Sequence, residues 1–183
     1  MEEEKFNLKQ YNYIIKFIEE NKLNTAKEEL IQIVNNKNNE FYPHQLLGIV
    51  YSKIGEFEKA LSHYQISIKI NPKNSGVLFN LAMLYKNLNK IDNAIENFLK
   101  VIEFDPNFIE AYLNVAKIYD SQKKIIEANN FYQKALTLNR NYLPTNKSYS
   151  KFLMRVGEIP KGLSYQYKHF GIVKFKSKNI EII

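Results

Sequence analysis

The 183-residue chain has no cysteine. That excludes a disulfide framework, a thiol nucleophile and any thiolate-held metal, and it fits a reducing compartment. Long apolar runs are also missing; none approaches the ~18 residues that a membrane-spanning helix needs. The opening MEEEKFNLKQ is acidic where a secretory leader is basic, and no apolar leader core follows. A soluble, cytoplasmic protein with no membrane partner is expected. The phosphate-cradling patterns GxGxxG and GxxxxGKS/T are absent, as are HExxH and GxSxG. No catalytic residue, no metal ligand and no cofactor is therefore assigned.

The residue types that could still carry chemistry do not assemble into a site. His44, His63 and His169 are far apart in sequence and read as unclustered, His44 as a packing residue and His63 as helix surface. The carboxylate pairs Glu19/Glu20 and Glu28/Glu29 are adjacent, so on a helix they point in different directions and read as solvated surface. Charge of one sign is scarce over most of the chain. Residues 1–142 carry 18 Lys/Arg against 17 Asp/Glu, whereas residues 143–183 carry 8 against 2. The basicity is thus local to the C-terminal end. The composition, 45% apolar and 14% aromatic, supplies a substantial core and argues against global disorder.

What the chain has in abundance is itself. The segments FEKALSHYQISIKINP (57–72), IDNAIENFLKVIEFDP (91–106) and IIEANNFYQKALTLNR (125–140) succeed one another at intervals of 34 residues. Leu47, Gly48, Tyr51, Ala60, Tyr64, Ser67 and Pro72 become Leu81, Ala82, Tyr85, Ala94, Phe98, Val101 and Pro106 one period on. A further period gives Val115, Ala116, Tyr119, Ala128, Tyr132, Ala135 and Arg140. Size class is kept at nearly every step, although the last position loses its proline. Within each half-unit the apolar residues recur at helical spacing, as in Leu47, Val50, Tyr51 and Ile54, then Ala60, Leu61, Tyr64 and Ile68. Two amphipathic helices per unit follow. A small residue on each lets them approach, with Gly48 expected against the Ala60 region and Tyr51 and Tyr64 filling the flanks. Gly55 suits the turn, and Pro72 and Pro106 close the units.

A 34-residue helix–turn–helix with large–Leu–Gly–Tyr followed by Ala–Phe–Ala–Pro resembles the tetratricopeptide repeat (TPR). The array is placed at residues 7–176, with units 7–40, 41–74, 75–108, 109–142 and 143–176, after a leader of residues 1–6. The outer two units are degenerate, as end units are when one face lacks a neighbour. The first puts Ile14 at a small-residue position. The last keeps Gly157 and Gly162 but places Gln166 where an aromatic belongs. The resemblance implies an all-α, right-handed α-solenoid whose first helices line a concave groove.

On that implied geometry, adding 34 repeatedly gives the groove-lining rows. One row holds Asn80 and Asn114, a second Ile49, Met83, Lys117 and Lys151, a third Lys53, Asn87 and Arg155. Gln45, Phe79, Leu113 and Lys147 flank them. An asparagine amide has both donor and acceptor and so matches peptide main chain. The Asn80/Asn114 pair resembles the asparagine ladders of some TPR grooves. The cations Lys117, Lys147, Lys151 and Arg155 favour carboxylates. Their order does not follow the lysine–asparagine clamp by which some family members hold a terminal carboxylate.

The function expected is therefore non-enzymatic: a protein-interaction scaffold holding an extended, acidic peptide or partner segment. Two other readings stand beside it, namely an adaptor or truncated relative of a TPR-linked enzyme (glycosyltransferase, sulfotransferase or iron/2-oxoglutarate oxygenase) and a weak RNA-associated helical repeat. Nucleic acid is disfavoured because the basic residues do not track along the whole chain. Residues 172–183, IVKFKSKNIEII, alternate apolar and polar and form a short strand-like or irregular tail. Three roles are open to that tail: docking on the last repeat, pairing with a partner or missing domain, or hanging loose.

Overall fold

The helical spacing of the apolar residues becomes helix wherever the chain is described. The computed structural model describes residues 11–36, 40–167, 173–176 and 179–182. Among these residues the helices are α1 (Asn12–Glu19), α2 (Leu23–Asn36), α3 (Phe41–Ile54), α4 (Phe57–Ile70), α5 (Ser75–Asn87), α6 (Ile91–Phe104), α7 (Ile109–Ser121), α8 (Ile125–Leu138), α9 (Leu143–Arg155) and α10 (Ile159–Tyr167). From α3 onward the first helix of each pair begins 34 residues after the last, at Phe41, Ser75, Ile109 and Leu143. The leader at 1–6 lies outside the described residues.

Successive helices pair as hairpins, α3 with α4, α5 with α6, α7 with α8 and α9 with α10. Each hairpin turns on one residue in the left-handed region: Asn21 (φ 59°), Gly55 (91°), Asn89 (56°), Lys123 (59°) and Gly157 (91°). The residue that follows donates its amide back five positions, as in Glu56 N to Tyr51 O (2.9 Å), Lys90 N to Tyr85 O (2.8 Å) and Lys124 N to Tyr119 O (2.9 Å). This is the Schellman closure, which satisfies carbonyls that a helix end would otherwise leave bare. Glycine was legible at two of these turns. Asparagine tolerates the conformation at two more, and Lys123 takes it without either advantage.

The chain forms two compact units, Met1–Asp105 and Pro106–Ile183. In the first, α2 packs on α3 and α4 on α5, so each hairpin leans on the next. Its core holds Tyr11, Ile14, Ala26, Leu30, Leu47, Val50, Ala60, Tyr64, Val77 and Leu84, with the Tyr11 ring 5.4 Å from that of Tyr42. A Cβ built at Gly48 would lie 2.4 Å from Cε1 of Tyr64. The ring across the hairpin is thus Tyr64, one turn beyond the Ala60 region that the spacing suggested. Ser67 Oγ ties α4 to α3 by donating to Phe41 O at 2.9 Å, and Asn74 caps α5 by accepting from Val77 N at 2.9 Å.

In the second unit, α9 packs on both α8 and α7. The core is Leu113, Ala116, Ala128, Tyr132, Leu136, Tyr149, Phe152 and Leu153. Its three rings interlock and half-buried Tyr165 joins them, with centroids 5.4 Å apart for Tyr132–Tyr149 and Tyr132–Phe152 and 5.0 Å for Tyr149–Tyr165. Such tilted and edge-on contacts add about 0.5–1.5 kcal/mol each beyond burial. Tyr132 is so desolvated that its hydroxyl pKa is pushed up to about 12. Pro160 falls in the first turn of α10, where its missing amide costs nothing. The tail is a hairpin: β1 (Val173–Lys176) pairs antiparallel with β2 (Asn179–Ile182), Val173 opposite Ile182 and Phe175 opposite Ile180. The alternation therefore finds its partner strand in the chain's own last residues.

Candidate functional site

The residues placed on the first helices divide by what they do. In the first unit Lys53 and Asn87 are exposed, while Ile49, Asn80 and Met83 are half-buried. Phe79 is a packing residue, its ring edge-on to Phe98 at 5.5 Å across the α5–α6 hairpin. The Gln45 amide nitrogen lies within 3.5 Å of where a Cβ on Gly76 would sit, so this side chain reaches from α3 to the start of α5.

In the second unit Leu113 is only 4% exposed and belongs to the core, which leaves it no surface to offer a ligand. Asn114 spends an amide proton on its own helix, donating to Glu110 O at 2.9 Å. Glu110 also accepts from the Tyr142 hydroxyl at 2.7 Å, linking α7 to the start of α9. Arg155 forms an ion pair with Asp120 and lies 5.6 Å over the Phe152 ring, so its charge is already answered. Lys117, Lys147 and Lys151 are different: they are exposed, and among the described residues no carboxylate pairs with them. Partial desolvation, and then the ammonium of Lys151, holds Lys117 below the ordinary lysine range. Like charges brought together in this way attract an anion.

Beside two of these lysines lies a hollow that the spacing alone did not reveal. It has a volume of about 320 Å³ and is lined by Leu143, Lys147, Ser150, Lys151 and Met154 of α9 and by Tyr165 and Gln166 of α10. Ser150 is 1% exposed, and its hydroxyl finds no hydrogen-bond partner among the described residues. The signal was available in the sequence. Ser150 and Gln166 stand three periods after Gly48 and Tyr64, and Gln166 is polar at a place where the three preceding repeats carry an aromatic.

Two of the three histidines also come together against expectation, while His169 lies outside the described residues. His44 and His63 face each other across the α3–α4 hairpin with Nδ1 atoms 3.0 Å apart and rings stacked at 5.3 Å. His63 is half-buried and not the surface residue expected; it stacks on Tyr51 as well, at 5.4 Å. Desolvation, and secondarily His44, lowers its pKa to about 4. His44 is buried, in keeping with a packing role. Among the described residues no three metal-ligating side chains come together, and no helix is long and apolar enough to cross a membrane.

Among curated proteins none matches the chain in sequence. Solved structures match its fold. The crystal structure of MamA superposes with a TM-score of 0.74 at 16% identity, covering 85% of this chain and 91% of that one. PilF of Pseudomonas aeruginosa gives 0.78 at 20% identity, covering 87% and 72%. A tetratricopeptide repeat protein from Parabacteroides merdae gives 0.76 at 19%, covering 88% and 65%. Three family models of the tetratricopeptide repeat match, one each at residues 44–75, 76–108 and 109–142. These matches run without a break over more than half of the sequence, and repeats of this kind make protein-interaction scaffolds. With its period, its hairpins and its fold in agreement, the chain belongs to the tetratricopeptide-repeat family.

Proposed function

We propose that the protein is a non-enzymatic interaction module that holds an extended, acidic segment of another polypeptide along the first helices of its repeats. The observation that carries this reading is the group Lys117, Lys147 and Lys151: three exposed cations on α7 and α9, with no carboxylate of the described residues paired to them. Cations engaged in holding a fold are normally paired, as Arg155 is with Asp120. Unpaired ones steer and hold carboxylates. In the first unit Lys53, Asn80 and Asn87 present polar groups at the corresponding rows. Asn80 is the better candidate for contact with ligand main chain, because Asn114 already hydrogen-bonds to its own helix.

Position-resolved photo-crosslinking tests the reading. A benzophenone amino acid is placed at Asn87 or Lys117 on first helices and at Gln65 or Gln133 on second helices, all exposed. Proteins retained from native lysate should crosslink from positions 87 and 117 and not from 65 or 133. Crosslinks confined to the second helices would overturn the assignment. Asn80→Ala is expected to weaken retention more than Asn114→Ala.

A further inference from the structure

The hollow between α9 and α10 exists because one ring is missing. At the two places that face each other across a hairpin, the second, third and fourth repeats put a small residue and an aromatic: Gly48 with Tyr64, Ala82 with Phe98, Ala116 with Tyr132. All six are buried. In the second repeat the ring covers the small residue directly. The helices of the α9–α10 hairpin also approach closely. A Cβ at Gly162 would lie 2.9 Å from the Ser150 carbonyl oxygen and 2.7 Å from Cγ of Met154. Yet at the ring's place it carries Gln166, which is exposed. The outcome is a hollow of about 320 Å³ with Leu143, Met154 and Tyr165 as apolar walls, the small residue Ser150 in its lining, and Lys147 and Lys151 as exposed cations around it. Aromatic rings favour such sites because they fill a preformed apolar space at low entropic cost.

We propose that this hollow receives an aromatic side chain of the partner polypeptide, flanked in the partner's sequence by carboxylates that pair with Lys147 and Lys151. The proposal rests on the reading that the second unit holds an acidic segment, and it names the chemistry of that segment. The charges around the hollow select against basic and neutral flanks. No terminal carboxylate is required, so a segment internal to the partner chain fits.

The test uses the full chain and the capped peptide Ac-Ser-Glu-Phe-Glu-Ser-NH2, titrated while backbone amide resonances are followed by NMR. Shifts are expected at Ser150, Lys151, Met154 and Gln166. Replacing the peptide's phenylalanine by glycine, or both its glutamates by glutamine, should weaken binding about tenfold or more. Lys147→Glu with Lys151→Glu should do the same, and against that variant the glutamine peptide should lose nothing further. Gln166→Phe restores the missing ring from within. It should raise the melting temperature and abolish the shifts, whereas Gln166→Ala should leave them.

Unchanged binding to Gln166→Phe, or shifts confined to residues away from the hollow, would overturn the proposal. So would a dimer that Gln166→Phe dissociates while the peptide causes no shift, since the occupant would then be a second copy of the chain. None of these results touches the crosslinking at Asn87 and Lys117, so the wider reading stands or falls separately.

Discussion

A methyl group at position 48 has no room. Built there, it would stand 2.4 Å from Cε1 and 2.5 Å from Cδ1 of Tyr64, a ring that is itself buried. Gly48→Ala is expected to lower stability by about 1–3 kcal/mol through overpacking. The first hairpin shows how the clash is relieved. One period earlier the same two places hold Ile14 and Leu30, both fully buried, so a larger residue on the first helix goes with a smaller one on the second. Tyr64→Leu should therefore rescue part of the Gly48→Ala loss, with a coupling of about 1 kcal/mol between the two changes in urea-melt cycles. Strict additivity would mean that the two side chains do not meet. The small residue was legible in the repeat; its partner was not. A 34-residue period identifies equivalent places in successive hairpins, but it does not say which residue of the opposite helix a given place faces. Lys123 shows a sharper limit: its left-handed backbone leaves no mark in its chemistry, and only its place 34 residues after Asn89 points to it.

Each hairpin adds properties that neither of its helices has. In α3–α4, His44 and His63 sit 19 positions apart in sequence and meet through Nδ1 atoms at 3.0 Å. The groups around His63 are His44 and Tyr51 from α3, with the Lys59 ammonium 5.4 Å over the Tyr51 ring. Burial first, and His44 second, lowers the His63 pKa from 6.5 to about 4, so the folded hairpin favours the neutral ring. An unfolded chain protonates the same ring near pH 6.5. The hairpin's contribution is therefore complete above that pH, declines as pH falls toward 4, and is absent below it. Because the ring is only half-buried, solvent screening reduces the effect to about 1–2 kcal/mol. Thermal melts at pH 7.5 and pH 5 should show a smaller acid loss for His63→Phe than for the parent; equal losses would remove the pair from the account. The helices themselves were legible, since apolar spacing, turn glycines and closing prolines all agree on them. The meeting of the histidines was not, because it depends on how two helix faces rotate against each other. The tail divides in the same way: its alternation marked a strand, and the strand it would pair with lay outside what alternation can specify.

Taken over the whole chain, charge is the property that the sequence states most plainly and that the fold refines. Residues 143–183 hold an excess of six cations, against one for residues 1–142. The structure divides those cations by employment: Arg155 is paired with Asp120, while Lys147 and Lys151 of α9, with Lys117 of α7, are not paired with any carboxylate of the described residues. Affinity for an acidic chain should then depend on where charge lies more than on how much there is. A fluorescent octaglutamate probe, followed by anisotropy, should bind more weakly as salt rises from roughly 0.05 to 0.3 M, since exposed charges are screened over a shrinking Debye length. Lys117→Glu with Lys147→Glu should remove most of that salt dependence and weaken binding by about two- to fivefold per lysine at low salt. Lys69→Glu with Lys73→Glu changes the net charge by the same amount, on and just after α4 in the other unit. That pair should leave both the affinity and its salt dependence close to the parent's. Equal losses from the two pairs would mean that the probe senses only the total charge, and the basic group on α7 and α9 would lose its standing as a site.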